Sequence, residues 1–290
     1  MLIRAFSAWS HRRPSAKTLP LLALLAASAW ALVAAPAHAE PPLKIGINSG
    51  LSADAVHQAV KEAKEQGLDV KVIEFTDWIT PNAALVNKDI DANYFQHIPF
   101  LEDAKKARGY DFVSVGVGTM SKVGLYSKKY KSIADLPNGA KVAIANDPVN
   151  GGRGLVLLER VGLIKLREGL DYKATVADIV SNPKNIKITE LVAQQLPTAL
   201  DDVDLGQGYP ATLKQYNIDP NSALIFDNVQ KRFAIQWVVR AEDAENPRIK
   251  KFVSIYQNSP EVKATLKKHF GDMTVPAWDL PQAAAANPTN

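Results

Sequence analysis

The 290-residue chain contains no cysteine. That absence excludes disulfides, thiolate metal sites and cysteine nucleophiles, and with them the acylated cysteine that anchors a bacterial lipoprotein. Histidine is nearly as scarce: of five in the chain, only His57, His97 and His269 lie beyond the N-terminal segment. His57 and His269 fall within helical patterns and read as surface residues, and one remaining imidazole cannot build a zinc site of ordinary spacing. No G-x-S-x-G elbow presents a serine nucleophile, and neither G-x-G-x-x-G nor G-x-x-x-x-G-K-[ST] is present to cradle a nucleotide phosphate. The clustered Asp201, Asp202 and Asp204 are explained as turn residues. No catalytic residue, metal site or cofactor is therefore expected.

An excess of one charge is also missing once the N-terminus is set aside. The chain has 34 Lys+Arg against 30 Asp+Glu, and Arg4, Arg12, Arg13 and Lys17 make up the whole surplus. They precede the apolar run LPLLALLAASAWALVAA (19–35), which leads to Ala37-His38-Ala39. A basic start, an apolar stretch and an A-x-A site read as an export signal cleaved after Ala39, not as a membrane anchor. Pro14 and Ser15 after Arg12-Arg13 fit twin-arginine export poorly, so general secretion into the periplasm is expected. From Glu40 onward the chain is formally neutral. Nothing in it argues for nucleic-acid binding, and SKKYK (127–131) reads as a solvated face.

What is present is alternation. LKIGI (43–47) and DVKVIEF (69–75) read as strands, and between them Val56, Ala59, Val60 and Ala63 form one helix face that Gly67 should end. The pattern continues with a helix over 81–87, strand DIDANYF (89–95), a helix over 98–107 and strand DFVSVGV (111–117). KVGLYS (122–127) opens a second series: KVAIA (141–145), a helix over 151–165, IKIT (186–189), a helix over 190–201, VDLG (203–206) and ALIF (223–226). After the apolar AIQWVVR (234–240) come two helices, marked by Ile249/Phe252/Val253/Tyr256 and Val262/Leu266/Phe270. This predicts two α/β lobes with mostly parallel sheets, the strands near 122–127 and 234–240 crossing between them. The tail QAAAANPTN is low-complexity and is read as disordered.

Ligands of open α/β sheets bind beyond the strands' carboxyl ends. There DANYFQHIPF (91–100) delivers Tyr94, Phe95 and His97, and EFTDWITPN (74–82) delivers Trp78. Tyr94 reads equally well as core packing; Phe95 and His97 are expected beyond the end of their strand. NDPVNGGRGLVLLE (146–159) adds Asn150 and Arg153. An arginine in the first turn of a helix suits a planar carboxylate better than a phosphate. These groups recognise; none is an obvious nucleophile or base.

LKIGINSG, EFTDWITPNAAL, DIDANYFQHIPFL, the long block from GLYSKKY to GLIKL and LPTALDDVDL together resemble the NlpA/MetQ family of methionine-type substrate-binding proteins, over most of residues 43–278. The resemblance implies a non-enzymatic α/β protein with the two-lobed periplasmic binding protein fold of type II, its ligand cleft between lobes joined by two crossing strands. It implies an amino acid held between the lobes, delivery to an ABC permease and its ATPase, and a monomer. Lobe 1 is expected over 40–122 and 238–280 and lobe 2 over 123–237, with the tail from 281 to 290. By position, Phe95 and His97 match contacts to the ligand side chain, Arg153 the carboxylate anchor and Asn150 its neighbour. Three positions depart from the pattern: Trp78 replaces a tyrosine, Gln207 stands nearest an expected asparagine, and Ile235 occupies another asparagine's place. Those departures imply a ligand preference unlike that of ordinary methionine binders. The alternatives are a different amino acid, a small peptide or another carboxylate, or an enzyme or sensor partner reusing the fold.

Overall fold

The computed structural model describes residues 40–228 and 230–280. The expected signal (1–39) and tail (281–290) lie outside the described residues. Along the chain, β1 (Leu43–Asn48), α1 (Leu51–Glu65), β2 (Val70–Phe75), α2 (Thr80–Val86), β3 (Ala92–His97), α3 (Ile98–Arg108) and β4 (Phe112–Val117) alternate as predicted. A short β5 (Thr119–Ser121) leads into β6 (Gly124–Tyr126) and the second series. That series comprises β7 (Lys141–Ala145), α4 (Pro148–Arg160), the small antiparallel pair β8 (Lys165–Leu166) and β9 (Ile179–Ser181), β10 (Lys187–Leu191), α5 (Leu196–Ala199), β11 (Leu205–Gly208), α6 (Pro210–Gln215) and β12 (Ile225–Phe226). Then come β13 (Ile235–Arg240), α7 (Pro247–Asn258), α8 (Pro260–Phe270) and β14 (Thr274–Pro276).

Besides the pairs β8-β9 and β5-β14, the strands form two five-stranded sheets, ordered β2-β1-β3-β13-β4 and β10-β7-β11-β6-β12. In the first, β1 pairs parallel with β2 and β3, and β13 enters antiparallel between β3 and β4. The second has parallel β10, β7 and β11, with β6 antiparallel between β11 and β12. Each sheet thus keeps a parallel α/β half and accepts antiparallel strands where the chain crosses. The two crossings are bonded to each other: Gly118 N–H donates to Ile235 O at 2.7 Å, and Asp227 N–H to Val123 O at 2.7 Å.

Each sheet has its own apolar core. Against the first sheet pack Ala55, Val56, Ala59 and Ala63 of α1 with Phe252 and Tyr256 of α7 and Leu266 and Phe270 of α8. Trp237 of β13 lies at the centre of that core, fully buried. The second core gathers Leu125, Val142, Ile144, Leu155, Leu158 and Leu205. Small residues on α1 let the helix sit close to the sheet, and Gly67, with φ of 74°, ends it in the left-handed conformation. One helix is much shorter than the sequence pattern suggests. Over 190–201 the chain stays paired through Leu191 in β10, then passes a 3₁₀ turn (Ala193–Gln195) before the four-residue α5. Pro197, unable to donate a backbone hydrogen bond, is confined to that helix's first turn.

Candidate functional site

β3 does not end at Phe95 but runs through His97, which pairs with Ile235 of β13. His97 is also the N-cap of α3. Its Nδ1 accepts the Phe100 N–H at 3.2 Å, so the neutral ring carries its proton on Nε2, which donates to Asn150 Oδ1 at 3.3 Å. Burial, with the Arg153 guanidinium nearby, lowers the imidazole pKa to about 3. The last residue of a strand of the first sheet is thereby bonded to a helix of the second. Beneath it, Asn82, Asn93 and Gln96 form a buried side-chain network with bonds of 2.7–3.0 Å, which holds α2 on β3.

The turn after β7 holds neither a phosphate loop nor a free helix end. Pro148 starts α4 three residues earlier than expected, and Asp147 caps it, its Oδ1 accepting Asn150 N–H at 2.9 Å. Arg153 therefore sits in the second turn, not the first, away from the helix N-terminus. The glycines serve packing. A Cβ on Gly151 would lie 2.6 Å from the Ala145 carbonyl, one on Gly152 1.9 Å from the Tyr172 carbonyl, and one on Gly154 2.8 Å from Gln207 Oε1. Gly152→Ala is expected to destabilise the protein by about 1–3 kcal/mol, because a backbone carbonyl has to move to admit the methyl. Chemical denaturation of the variant measures this, and unchanged stability would show that the segment around Tyr172 yields freely.

Arg153 is buried and has a partner that the sequence did not disclose. Its Nη2 donates to Asp227 Oδ2 at 2.6 Å, the two side chains being 8% and 12% exposed. Asp227 Oδ1 also accepts the Val123 N–H at 2.9 Å, tying the arginine to the crossing segment. The guanidinium lies 4.1 Å from the centroid of the Phe233 ring, and Nε has no hydrogen-bond partner.

A cavity of about 170 Å³ lies between the ends of the two sheets, and its wall includes Trp78, Phe95, His97, Asn150 and Arg153. A cavity of about 150 Å³ admits benzene, so this one has room for a small molecule somewhat larger than benzene. Phe100, Phe233, Ile235 and Tyr209 add to the apolar part of the wall. No aspartate or glutamate is among the described wall residues. Trp78, from the loop after β2, meets Tyr209, from the end of β11, edge to face at 5.4 Å.

Two expected site residues play other parts. Tyr94 edges the cavity, but its ring stacks on Trp237 at 4.2 Å, and its hydroxyl accepts Thr119 N–H at 2.8 Å and meets the Tyr256 hydroxyl at 3.2 Å. Gln207 is fully buried off the wall. Its Oε1 accepts Ala145 N–H at 2.9 Å and its Nε2 donates to Asn150 O at 2.9 Å, so it braces the α4 turn. Sequence reasoning missed Asp227, Phe233, Phe100 and Tyr209. Phe100 lies in the FQHIPF block, and only its spacing from His97 signalled it; nothing local marks Asp227.

Two sheets with crossing segments and a cavity between them define the two-lobed periplasmic binding protein fold. The model of the family described as NlpA lipoprotein matches residues 43–278. The chain belongs to that family. It is 43% identical over 242 residues to the D-methionine-binding lipoprotein MetQ of Escherichia coli strain K12, covering 81% of this chain and 88% of that protein. The Yersinia pestis protein of the same name is 41% identical over 248 residues, covering 84% and 90%. Among solved structures, a nutrient binding protein from Burkholderia cenocepacia bound to methionine is 44% identical with a TM-score of 0.77, covering 81% of this chain and 99% of that one. A structure of the methionine binding protein MetQ gives 40% and 0.78, covering 81% and 97%.

Proposed function

We propose that this protein is the periplasmic substrate-binding component of an ABC importer, holding a methionine-like amino acid by its carboxylate and an apolar side chain. The observation that carries this is the wall itself: among the described wall residues one guanidinium, Arg153, is the only arginine, lysine, aspartate or glutamate, facing a surface that includes Trp78, Phe95, Phe100 and Phe233. No catalysis is assigned to it; the neutral His97 is committed to capping α3 and bonding Asn150. The expected boundary at 238 falls inside β13, so residues 40–122 with 235–280 form one lobe and 123–234 the other, closing on the ligand as a monomer that then docks on a permease and its ATPase. Relatives carry the name lipoprotein. This chain, without a cysteine to acylate, is exported free of lipid.

Calorimetric titration of refolded protein with L- and D-methionine tests the reading, with saturable one-to-one binding of at least one enantiomer expected. Ile235 in the wall favours the second reading, another carboxylate that carries no ammonium, since isoleucine offers an ammonium nothing. Refolded protein that ignores both enantiomers but binds another carboxylate would establish that second reading. Intact-mass analysis of the exported form is expected to show a chain beginning at Glu40 without acyl groups.

A further inference from the structure

We propose that Tyr209 is a second ligand-binding residue, its hydroxyl donating beside Arg153 to the ligand's carboxylate; this rests on the cavity being a carboxylate site. Tyr209 follows β11, immediately before Pro210 opens α6. Its ring belongs to the cavity wall and closes against Trp78 from the other sheet. Its hydroxyl is buried and has no hydrogen-bond partner among the described residues. The nearby Gln207 amide is already committed to Ala145 N–H and to the Asn150 carbonyl; it pulls the phenol pKa down as a polar neighbour, but the hydroxyl meets none of its atoms at full hydrogen-bond geometry.

Among the described residues, two wall residues carry a buried side-chain polar atom without a hydrogen-bond partner, Tyr209 at Oη and Arg153 at Nε. Both can donate. Burial raises the phenol pKa well above its ordinary value, with Asp147 adding to the effect, so the group keeps its proton and acts as an O–H donor. A buried donor left unmade is costly, and native proteins seldom tolerate one without a purpose. A carboxylate supplies two acceptor oxygens and needs no acid in the wall to balance it. Tyr209 thus gives the second sheet a direct hold on the same ligand group that Arg153 anchors, while its ring shuts the cavity on Trp78.

Tyr209→Phe keeps the ring and removes only the hydroxyl. Hydrogen bonds to charged groups set the scale, so affinity for methionine is expected to fall about 10- to 100-fold. The thermal midpoint of the ligand-free variant is expected to stay level or rise, since no bond is lost. Affinity within about two-fold of wild type would overturn the proposal; so would a lowered ligand-free midpoint, which would show that the hydroxyl has a structural partner. Failure of the functional reading looks different: wild-type protein then binds neither methionine enantiomer. The ligand-free midpoint still decides in that case, a drop overturning the proposal and a level or raised value supporting it.

Discussion

Arg153→Ala is expected to weaken binding of a methionine-like ligand at least about 100-fold. Charge-assisted hydrogen bonds contribute about 1.5–3 kcal/mol each, and an arginine can make two to one carboxylate. The variant also loses stability, because Arg153 and Asp227 form a buried pair and removal of the cation leaves Asp227 without a counter-charge. Breaking such a pair from one side costs about 3 kcal/mol. Adding Asp227→Asn separates the two effects. The asparagine still accepts the Val123 N–H and removes the orphaned charge, so stability is expected to return while binding does not. Calorimetry and urea unfolding on the single and double variants make the measurement. Unchanged affinity in Arg153→Ala would refute the anchor, and a double variant no more stable than the single one would refute the counter-charge role of Asp227.

Affinity is expected to fall about 100-fold between pH 7.5 and pH 4.5. An imidazole wetted by opening of the cleft would titrate near the ordinary value of about 6.5. Closed, His97 is buried beside Arg153 with a pKa of about 3. The closed form therefore binds fewer protons than the open one at intermediate pH. Its advantage is complete above about 6.5 and is lost as pH falls toward 3, by about tenfold per unit. Protonation also sets an N–H on Nδ1 against the Phe100 N–H that it accepts, removing the cap of α3. Asp147 works in the opposite direction, since burial raises its pKa and acid favours its compact environment. His97→Asn keeps a capping acceptor but cannot titrate, so its binding is expected to be weaker at neutral pH and nearly flat with pH. A wild-type profile as flat as the variant's would show that closure does not bury the imidazole.

Periodicity alone determined most of the fold. Alternating strand and helix patterns located β1 to β4 with their helices, and the apolar 234–240 segment was legible as a buried strand. Burial on both faces leaves such a mark on any chain, whatever its partners. That Trp78, Phe95 and His97 lie on the cavity wall was legible too, because polar and aromatic residues near strand ends stand outside the alternation that packing explains, and Asn150 and Arg153 stood out as polar groups in the helix after β7. What the tertiary structure decided is who bonds to whom across long separations. Asp227 meets Arg153 from 74 residues away, Tyr209 meets Trp78 across two sheets, and Tyr94 is drawn into the core by Trp237 and Tyr256. Gln207 turned from a ligand group into a brace because β11 runs beside β7, directing its amide at the α4 turn. Even Gly151 and Gly152 of GGRG owe their identity to carbonyls of Ala145 and Tyr172 that only the folded chain brings close. Local sequence carries the period of an element and the chemistry of a side chain. A buried hydrogen bond depends on two positions at once, and neither one shows the other until the sheets are assembled.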